Sequence, residues 1–427
     1  MLIQFRTENH RSLRDEQVLS LTAATHLQDE SSSIHVEGLD EALLPVVAIY
    51  GANASGKTNV LLALLFMGTA VVSSARQWDP KGGVPRSPFA LNEAAGDAPS
   101  LYEADLLVEG VRMRYGFVVD DDMVLEEWLY AWPHGRRQLW FSREGGEFEF
   151  GREFKGHNKS IAEMTRPNAL FLSAAAQMNH AQLMPLVGRF IVPAGLIAEA
   201  VPEHERDIGF AASFFRPLGE DQEDQSEADQ RRREAVLSLL RAADLGIKDF
   251  VVVDPEEAVG GKVSAGGRSV LALRHRSIDP DGHFLPLELE SGGTRKLVSL
   301  IPLLVTSLQL GYPMLLDELE SSMHPLLAAE IIRIFQDPLL NPNHAQLILT
   351  THDSTLLGNA LGDPLLRRDQ VWLTEKDSSG ATTLYPLTDF HPRKTENLER
   401  GYLQGRYGGV PIPGSFAITP VDEVVPE

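Results

Sequence analysis

The octapeptide Gly51-Ala52-Asn53-Ala54-Ser55-Gly56-Lys57-Thr58 narrows the fold of this chain more than any other feature. It has the spacing G-x-x-x-x-G-K-[ST] and lies between two apolar runs, Val46-Val47-Ala48-Ile49-Tyr50 and Val60-Leu61-Leu62-Ala63-Leu64-Leu65. That order reads as strand, glycine loop and helix, the local plan of an α/β P-loop NTPase. Glycines let the backbone wrap a polyphosphate, with N–H groups and a helix N-terminus facing the anion. Residues Gly51 to Asn59 then form the cradle, Lys57 reaches the β- and γ-phosphates, and the Thr58 hydroxyl ligates Mg²⁺.

Three later segments fit around that cradle. Tyr312-Pro313-Met314-Leu315-Leu316-Asp317-Glu318 is an apolar strand ending in two carboxylates, at the sheet edge where open α/β folds bind ligands. Asp317 suits the metal side, and Glu318 suits a general base acting on the water that attacks the γ-phosphate. An acidic pair after an apolar run also fits a helix cap; its position in the chain favours the site. Glu290-Ser291-Gly292-Gly293-Thr294-Arg295-Lys296 precedes a largely apolar segment, so Ser291, Gly292 and Gly293 make a second anion cradle at a helix start. Alone, Ser-Gly-Gly is ordinary loop sequence, and Pro302 predicts a kink or break in the helix that follows. Gln346 to Asp353 read as a strand ending in polar residues, with His352 placed to bridge the γ-phosphate and the attacking water.

The order of P-loop, Ser-Gly-Gly, Asp-Glu strand and strand-terminal histidine resembles the ABC-type ATPase heads shared by transporters, chromosome-maintenance and break-repair proteins, and the OLD-like ATPases. Ile3 to Leu13 is similar to the first strand of repair and OLD-like heads, with His10 in place of an aromatic residue. Asp317-Glu318-Leu319-Glu320-Ser321-Ser322-Met323-His324-Pro325 and Asn397 to Pro411 resemble the stand-alone bacterial OLD-like and abortive-infection ATPases of anti-phage defence. Glu290 stands where leucine is usual, and Gln177 is the candidate Q-loop glutamine. The resemblance implies an ABC-ATPase-like head with an inserted α+β subdomain. It also implies a homodimer in which two ATP molecules are held between subunits, Ser291, Gly292 and Gly293 acting in trans. ATP then works as a switch for a separate effector protein, a nuclease or toxin. A DNA-repair or recombination ATPase acting on nucleic acid is the alternative, and a transporter subunit fits the residues after Glu318 less well.

The chain has 427 residues, 43% apolar and 23% charged, with no cysteine. Disulfide scaffolds, thiolate zinc sites and thiol nucleophiles are excluded. The N-terminus lacks a signal-like apolar region, and the longest apolar stretch, Val60 to Val72, is shorter than a bilayer span, which predicts a cytoplasmic protein without a membrane role of its own. A formal net charge of −22 opposes phosphate binding unless basic residues segregate. Arg136-Arg137, Arg231-Arg232-Arg233 and Arg367-Arg368 read as parts of solvated faces.

The motifs divide the chain into residues 1–66, the first part of the ATPase domain; 67–250, an inserted strand-rich and helical subdomain; 251–411, the second part; and a tail, 412–427. Gly219 to Asp229 read as an exposed acidic loop, and Val236, Leu239, Leu240 and Ala243 as a helix face. No sustained heptads occur, so the insertion is expected to be globular and not a coiled coil. No nuclease domain is expected after Glu318.

Overall fold

The computed structural model describes residues 1–24, 27, 32–191, 194–195, 214–215, 223–242, 246–253, 270–276, 284–321, 323–360, 362, 364–393 and 396–411. Strand β1 (Leu2–Glu8) pairs antiparallel with β2 (Gln17–Ser20). The chain then forms β3 (Val46–Gly51), every residue of which is buried, and the long helix α1 (Lys57–Gln77). It returns to the first sheet as a meander, β4 (Ser100–Val108), β5 (Val111–Val119), β6 (Val124–Trp132), β7 (Gln138–Glu144) and β8 (Glu147–Phe150). Because β4 pairs with the free edge of β1, the sheet order is β2-β1-β4-β5-β6-β7-β8. Tyr102, Ala104 and Leu106 on β4 and Met113, Tyr115 and Phe117 on β5 alternate into one core. That core also takes Val60, Leu61, Leu64 and Met67 of α1.

A short helix, α2 (Phe171–Gln177), packs on α1 with its start fixed by a buried carboxylate. Glu127 is fully buried and accepts from the backbone N–H groups of Phe171 (2.7 Å) and Leu172 (3.0 Å) and from the Tyr115 hydroxyl (2.9 Å). It thereby satisfies two helix N–H groups that lack intrahelical partners.

The second sheet combines β3 and β9 (Ala194–Gly195) with four later strands in the order β16-β15-β3-β14-β13-β9. A small antiparallel sheet, β10 (Ile247–Val253), β11 (Val270–His275) and β12 (Phe284–Pro286), and helix α3 (Glu223–Ala242) precede those strands. They are β13 (Met314–Leu316), β14 (Leu347–Thr350) and β15 (Val371–Lys376), all running parallel to their neighbours, and β16 (Thr382–Pro386), antiparallel to β15. Helices α4 (Gly292–Leu310) and α5 (Pro325–Gln336) cover the face away from α1. Val47 and Ile49 of β3 join the α1 core, while Val46, Ala48 and Tyr50 join the α4 and α5 core. A central parallel strand is covered on both faces, which is why Val46 to Tyr50 is continuously apolar.

The domain boundaries read from the sequence do not coincide with breaks in this fold. Residue 66 lies in the middle of α1 and residue 250 within β10. Strands β4 to β8 complete a sheet begun by β1 and β2, so 67–250 is not a unit set apart; hydrogen bonds along the β1 edge join them. Glu223 to Asp229, expected in an exposed loop, belong to α3; residues 219–222 and the tail from 412 lie outside the described residues. The expected break at Pro302 does not occur, since α4 continues through it with Val298, Ile301, Pro302 and Val305 buried. Helix α1 exceeds the expected apolar length and is long and apolar enough to cross a membrane by composition alone, yet 61% of its most apolar window is buried inside the fold. Of the arginine clusters, Arg367 and Arg368 differ from a solvated face, Arg367 pairing with Asp369 at 2.6 Å and Arg368 donating to the Pro392 carbonyl at 2.7 Å, whereas Arg136, Arg137 and Arg233 are exposed, Arg137 over the Tyr130 ring.

Candidate functional site

The glycine loop is held open by its neighbours. Gly56, at φ +103°, is the N-cap of α1, and a Cβ there would lie 2.2 Å from Thr382 Oγ1. Only glycine fits that conformation and that contact. Thr382 Oγ1 lies 2.8 Å from both the Ser55 carbonyl and the Ser12 hydroxyl, and Ser55 Oγ lies 2.7 Å from Thr374 Oγ1. The β15–β16 hairpin therefore clamps the loop from behind. Asn59 donates to Ser12 Oγ at 2.6 Å, tying the first turn of α1 to the β1–β2 connection. Helix α1 has no side-chain cap and no acidic residue in its first turn, so the positive end of its dipole is available to an anion. Lys57 is buried and donates to the carbonyls of Gly51 (3.0 Å) and Ala52 (3.1 Å).

Opposite the loop, the ends of β13 and β14 form one hydrogen-bonded network. Thr58 Oγ1 is 3.0 Å from each carboxylate oxygen of Asp317, and Thr350 Oγ1 donates to Asp317 at 2.6 Å. The Glu318 N–H donates to Thr350 Oγ1 at 2.9 Å, and the Leu319 N–H to the Thr350 carbonyl at 3.2 Å. These bonds hold Glu318 at φ +48°, a left-handed conformation unusual for a residue with a side chain and characteristic of functional sites. Two residues on, the Glu320 carboxylate accepts from the Thr351 hydroxyl at 2.7 Å and from the His352 backbone N–H. Lys296, in the second turn of α4, donates to the Ser321 hydroxyl at 2.9 Å and to the Ser321 carbonyl.

Between the loop and these strand ends lies a cavity of about 610 Å³ whose lining includes Asn53, Lys57, Thr58, Glu318, Glu320 and His352. Its volume is that of a small-molecule site. Burial lowers the Lys57 ammonium from its usual range, against the pull of Glu318, Asp317 and Glu320. Burial and then Lys57 lower His352, with the same three carboxylates opposing, so the imidazole is neutral at neutral pH. Thr58 and Asp317 offer one hydroxyl and one carboxylate, the hard oxygen donors that Mg²⁺ takes alongside phosphate and water. A second cavity of about 360 Å³, walled by Arg11, Pro88 and Leu91, adjoins the first and shares Asn59 and Lys376 with it.

A family model described as "AAA domain, putative AbiEii toxin, Type IV TA system" matches residues 46–358. The chain belongs to this AbiEii-type AAA family. The matched segment opens on the first residue of β3 and closes beyond His352, so it spans the loop, Asp317, Glu318 and His352 but not the bracing Ser12, Thr374 and Thr382. No curated protein matches the chain. Among solved structures it is similar to an SMC head bound to the C-winged helix domain of ScpA (13% identity, 90% of this chain and 96% of that chain, TM-score 0.42). It is also similar to the SMC head domain from Thermotoga maritima (14%, 90% and 98%, 0.39) and to cbiO1 from Clostridium perfringens, part of the ABC transporter complex cbiONQ (11%, 96% and 98%, 0.34). The α/β P-loop NTPase fold itself is established by the strand order and the loop geometry.

In this AbiEii-type AAA chain the cavity gathers Asn53, Ala54, Gly56, Lys57, Thr58, Asn59, Glu318 and His352 from the sequence reading. Gly51, Ala52 and Ser55 shape the loop from behind, and Asp317 stands behind Thr58. Ser291, Gly292 and Gly293 do not line this cavity: Ser291 caps α4, accepting from the Thr294 N–H, and both Ser291 and Gly292 are exposed. Glu290, the residue in the usual leucine position, pairs with His275 at 2.6 Å. Gln177 ends α2 on the surface and is not among the lining residues. Sequence reasoning missed Glu320, Ser321, Lys296 and Lys376. Glu320 had one signal, its place in the run after Glu318; Lys376 had none, since a lysine at a strand end is ordinary.

Proposed function

We propose that this chain binds ATP with Mg²⁺ and hydrolyses it, and that its ATP-bound form is a head-to-tail homodimer controlling a separate effector in a bacterial defence or toxin-type system. The observation that carries the reading is the convergence of Lys57, Thr58, Glu318 and His352 on one cavity, with the Thr58 hydroxyl 3.0 Å from both oxygens of Asp317. In this scheme Lys57 and the uncapped start of α1 take the phosphates. Thr58 would hold the Mg²⁺ with Asp317 behind it, and the ion would neutralise charge on the β- and γ-phosphates. Glu318 orients the attacking water and accepts its proton, and neutral His352 hydrogen-bonds between that water and the γ-phosphate. The adjoining cavity receives ribose and base.

The position of Ser291, Gly292 and Gly293 outside the cavity of their own chain supports their acting on a partner's nucleotide. Hydrolysis is then slow in a lone subunit, because the γ-phosphate lacks part of its donors until the dimer closes. The family description, with its toxin and toxin–antitoxin terms, supports the defence reading. A net charge of −22 and the internal pairing of Arg367 and Arg368 favour a protein effector over direct nucleic-acid action.

The test is the native mass of Glu318→Gln protein purified from its own cells with Mg-ATP and without. An ATP-dependent dimer carrying a stoichiometric second polypeptide is expected. A strict monomer in saturating Mg-ATP would overturn the dimer switch, and a bare ATP-dependent homodimer would overturn the separate effector.

A further inference from the structure

The loop after β13 and the turn after β14 bring Glu318 and His352 to the same cavity from different strands, and one side chain spans the gap between them. The Glu320 carboxylate accepts from Thr351 Oγ1 with one oxygen and from the His352 backbone N–H with the other. Thr351 is itself fixed: it is fully buried, its N–H donates to the Ile49 carbonyl at 3.1 Å, and its hydroxyl accepts from the Asp353 N–H at 3.0 Å. On the other side Glu320 belongs to the same tight loop as Glu318, whose left-handed backbone is pinned through Thr350 and closed by a Ser321 N–H bond to the Glu318 carbonyl at 2.8 Å. Beyond the Thr350 bonds to Asp317, Glu318 and Leu319, the Glu320 carboxylate therefore ties the turn carrying His352 to the loop carrying Glu318.

We infer that Glu320 is a positioning residue for hydrolysis, acting through His352 by its two hydrogen bonds and not by its charge. The inference rests on the ATPase reading above. Both oxygens of Glu320 are engaged by groups of the β14 turn, so its acceptors serve the protein before any substrate. An amide in the same place preserves the geometry. Its oxygen accepts from the His352 N–H and its NH₂ donates to the second lone pair of the Thr351 hydroxyl, reversing that bond so that the hydroxyl proton must turn to another acceptor. An alanine leaves a backbone N–H and a hydroxyl unpaired and frees the turn, and a misplacement of about 1 Å can cost roughly 10²-fold in rate.

The experiment compares ATP turnover and nucleotide affinity in wild type, Glu320→Ala, Glu320→Gln, His352→Ala and the double variant Glu320→Ala/His352→Ala. We expect Glu320→Ala to lower kcat by roughly 10- to 100-fold with nucleotide affinity kept within about threefold, and Glu320→Gln to retain most of the wild-type rate. The double variant should be little slower than His352→Ala alone, because the two residues act as one unit. An unchanged rate in Glu320→Ala, equal damage from Gln and Ala, or additive losses in the double variant would each overturn the inference. If Glu320→Ala fails to fold, Glu320→Gln decides it, together with Thr351→Val, which removes the donor to Glu320 along with the acceptor of the Asp353 N–H and should slow turnover about three- to tenfold. Wild-type protein that binds no nucleotide would sink the ATPase reading itself, a result separable from turnover that merely ignores Glu320.

Discussion

Two helix starts were candidates for binding phosphate, and the structure treats them differently. Helix α1 begins at a left-handed glycine, has no side-chain cap, and opens into a cavity lined by Lys57 and Thr58. Helix α4 begins at Ser291, whose hydroxyl already accepts from the Thr294 N–H and lies 2.8 Å from Thr294 Oγ1, and it faces solvent. The first has an uncapped helix start whose backbone N–H groups are open to an anion, although Lys57 donates to the Gly51 and Ala52 carbonyls. The second is self-satisfied, and must exchange an internal hydrogen bond for an external one. That difference suits a site in which one element holds the nucleotide continuously and the other is engaged only when a partner approaches.

The contrast is broken most directly at Lys57. Lys57→Ala should weaken nucleotide binding by roughly 10³-fold, as loss of a buried charge contact does; titration calorimetry with ATP reads this, and near-normal affinity would place the phosphates elsewhere. Glu318→Gln should keep binding while slowing hydrolysis by roughly 10²-fold or more, so wild-type turnover in that variant would remove Glu318 from the role of base. Ser291→Arg should leave the affinity of a single subunit unchanged but reduce turnover at high protein concentration by about tenfold or more, by blocking closure. Equal dimerisation of that variant on a sizing column would show that α4 takes no part. The smallest effect is in pH. Because His352 is held below the ordinary imidazole range, any loss of rate from its protonation should fall below about pH 6.5, and His352→Ala should lack that acid limb.

The half of the site made by contiguous residues was legible in the sequence. Gly51 to Thr58 carry strand, loop and helix signals within a few residues, and Asp317 and Glu318 follow directly on their strand. What depended on distant pairing was not legible. Nothing local in Ser100 to Val108 says that this strand pairs with Leu2 to Glu8, so a sheet joining both was divided at residue 66. Pro302 predicts a break by its own chemistry, but burial of Ile301, Pro302 and Val305 against the β-sheet core overrides it. Glu320 illustrates the limit most clearly. A carboxylate two residues after Glu318 reads like any polar loop residue, and only the folded β14 end shows what it holds.

The threonine clamp behind the P-loop has a consequence for how the protein comes into being. Thr374 and Thr382 brace a loop that leaves the ribosome roughly three hundred residues before them, an interval of about 15 to 60 s at ordinary synthesis rates. Through that interval β3 lacks both of its strand neighbours, β14 and β15. A nascent chain therefore displays its most diagnostic motif well before it can complete the cradle, which requires Thr374 and Thr382. A chain truncated before Thr382 would have a P-loop without the brace that shapes it.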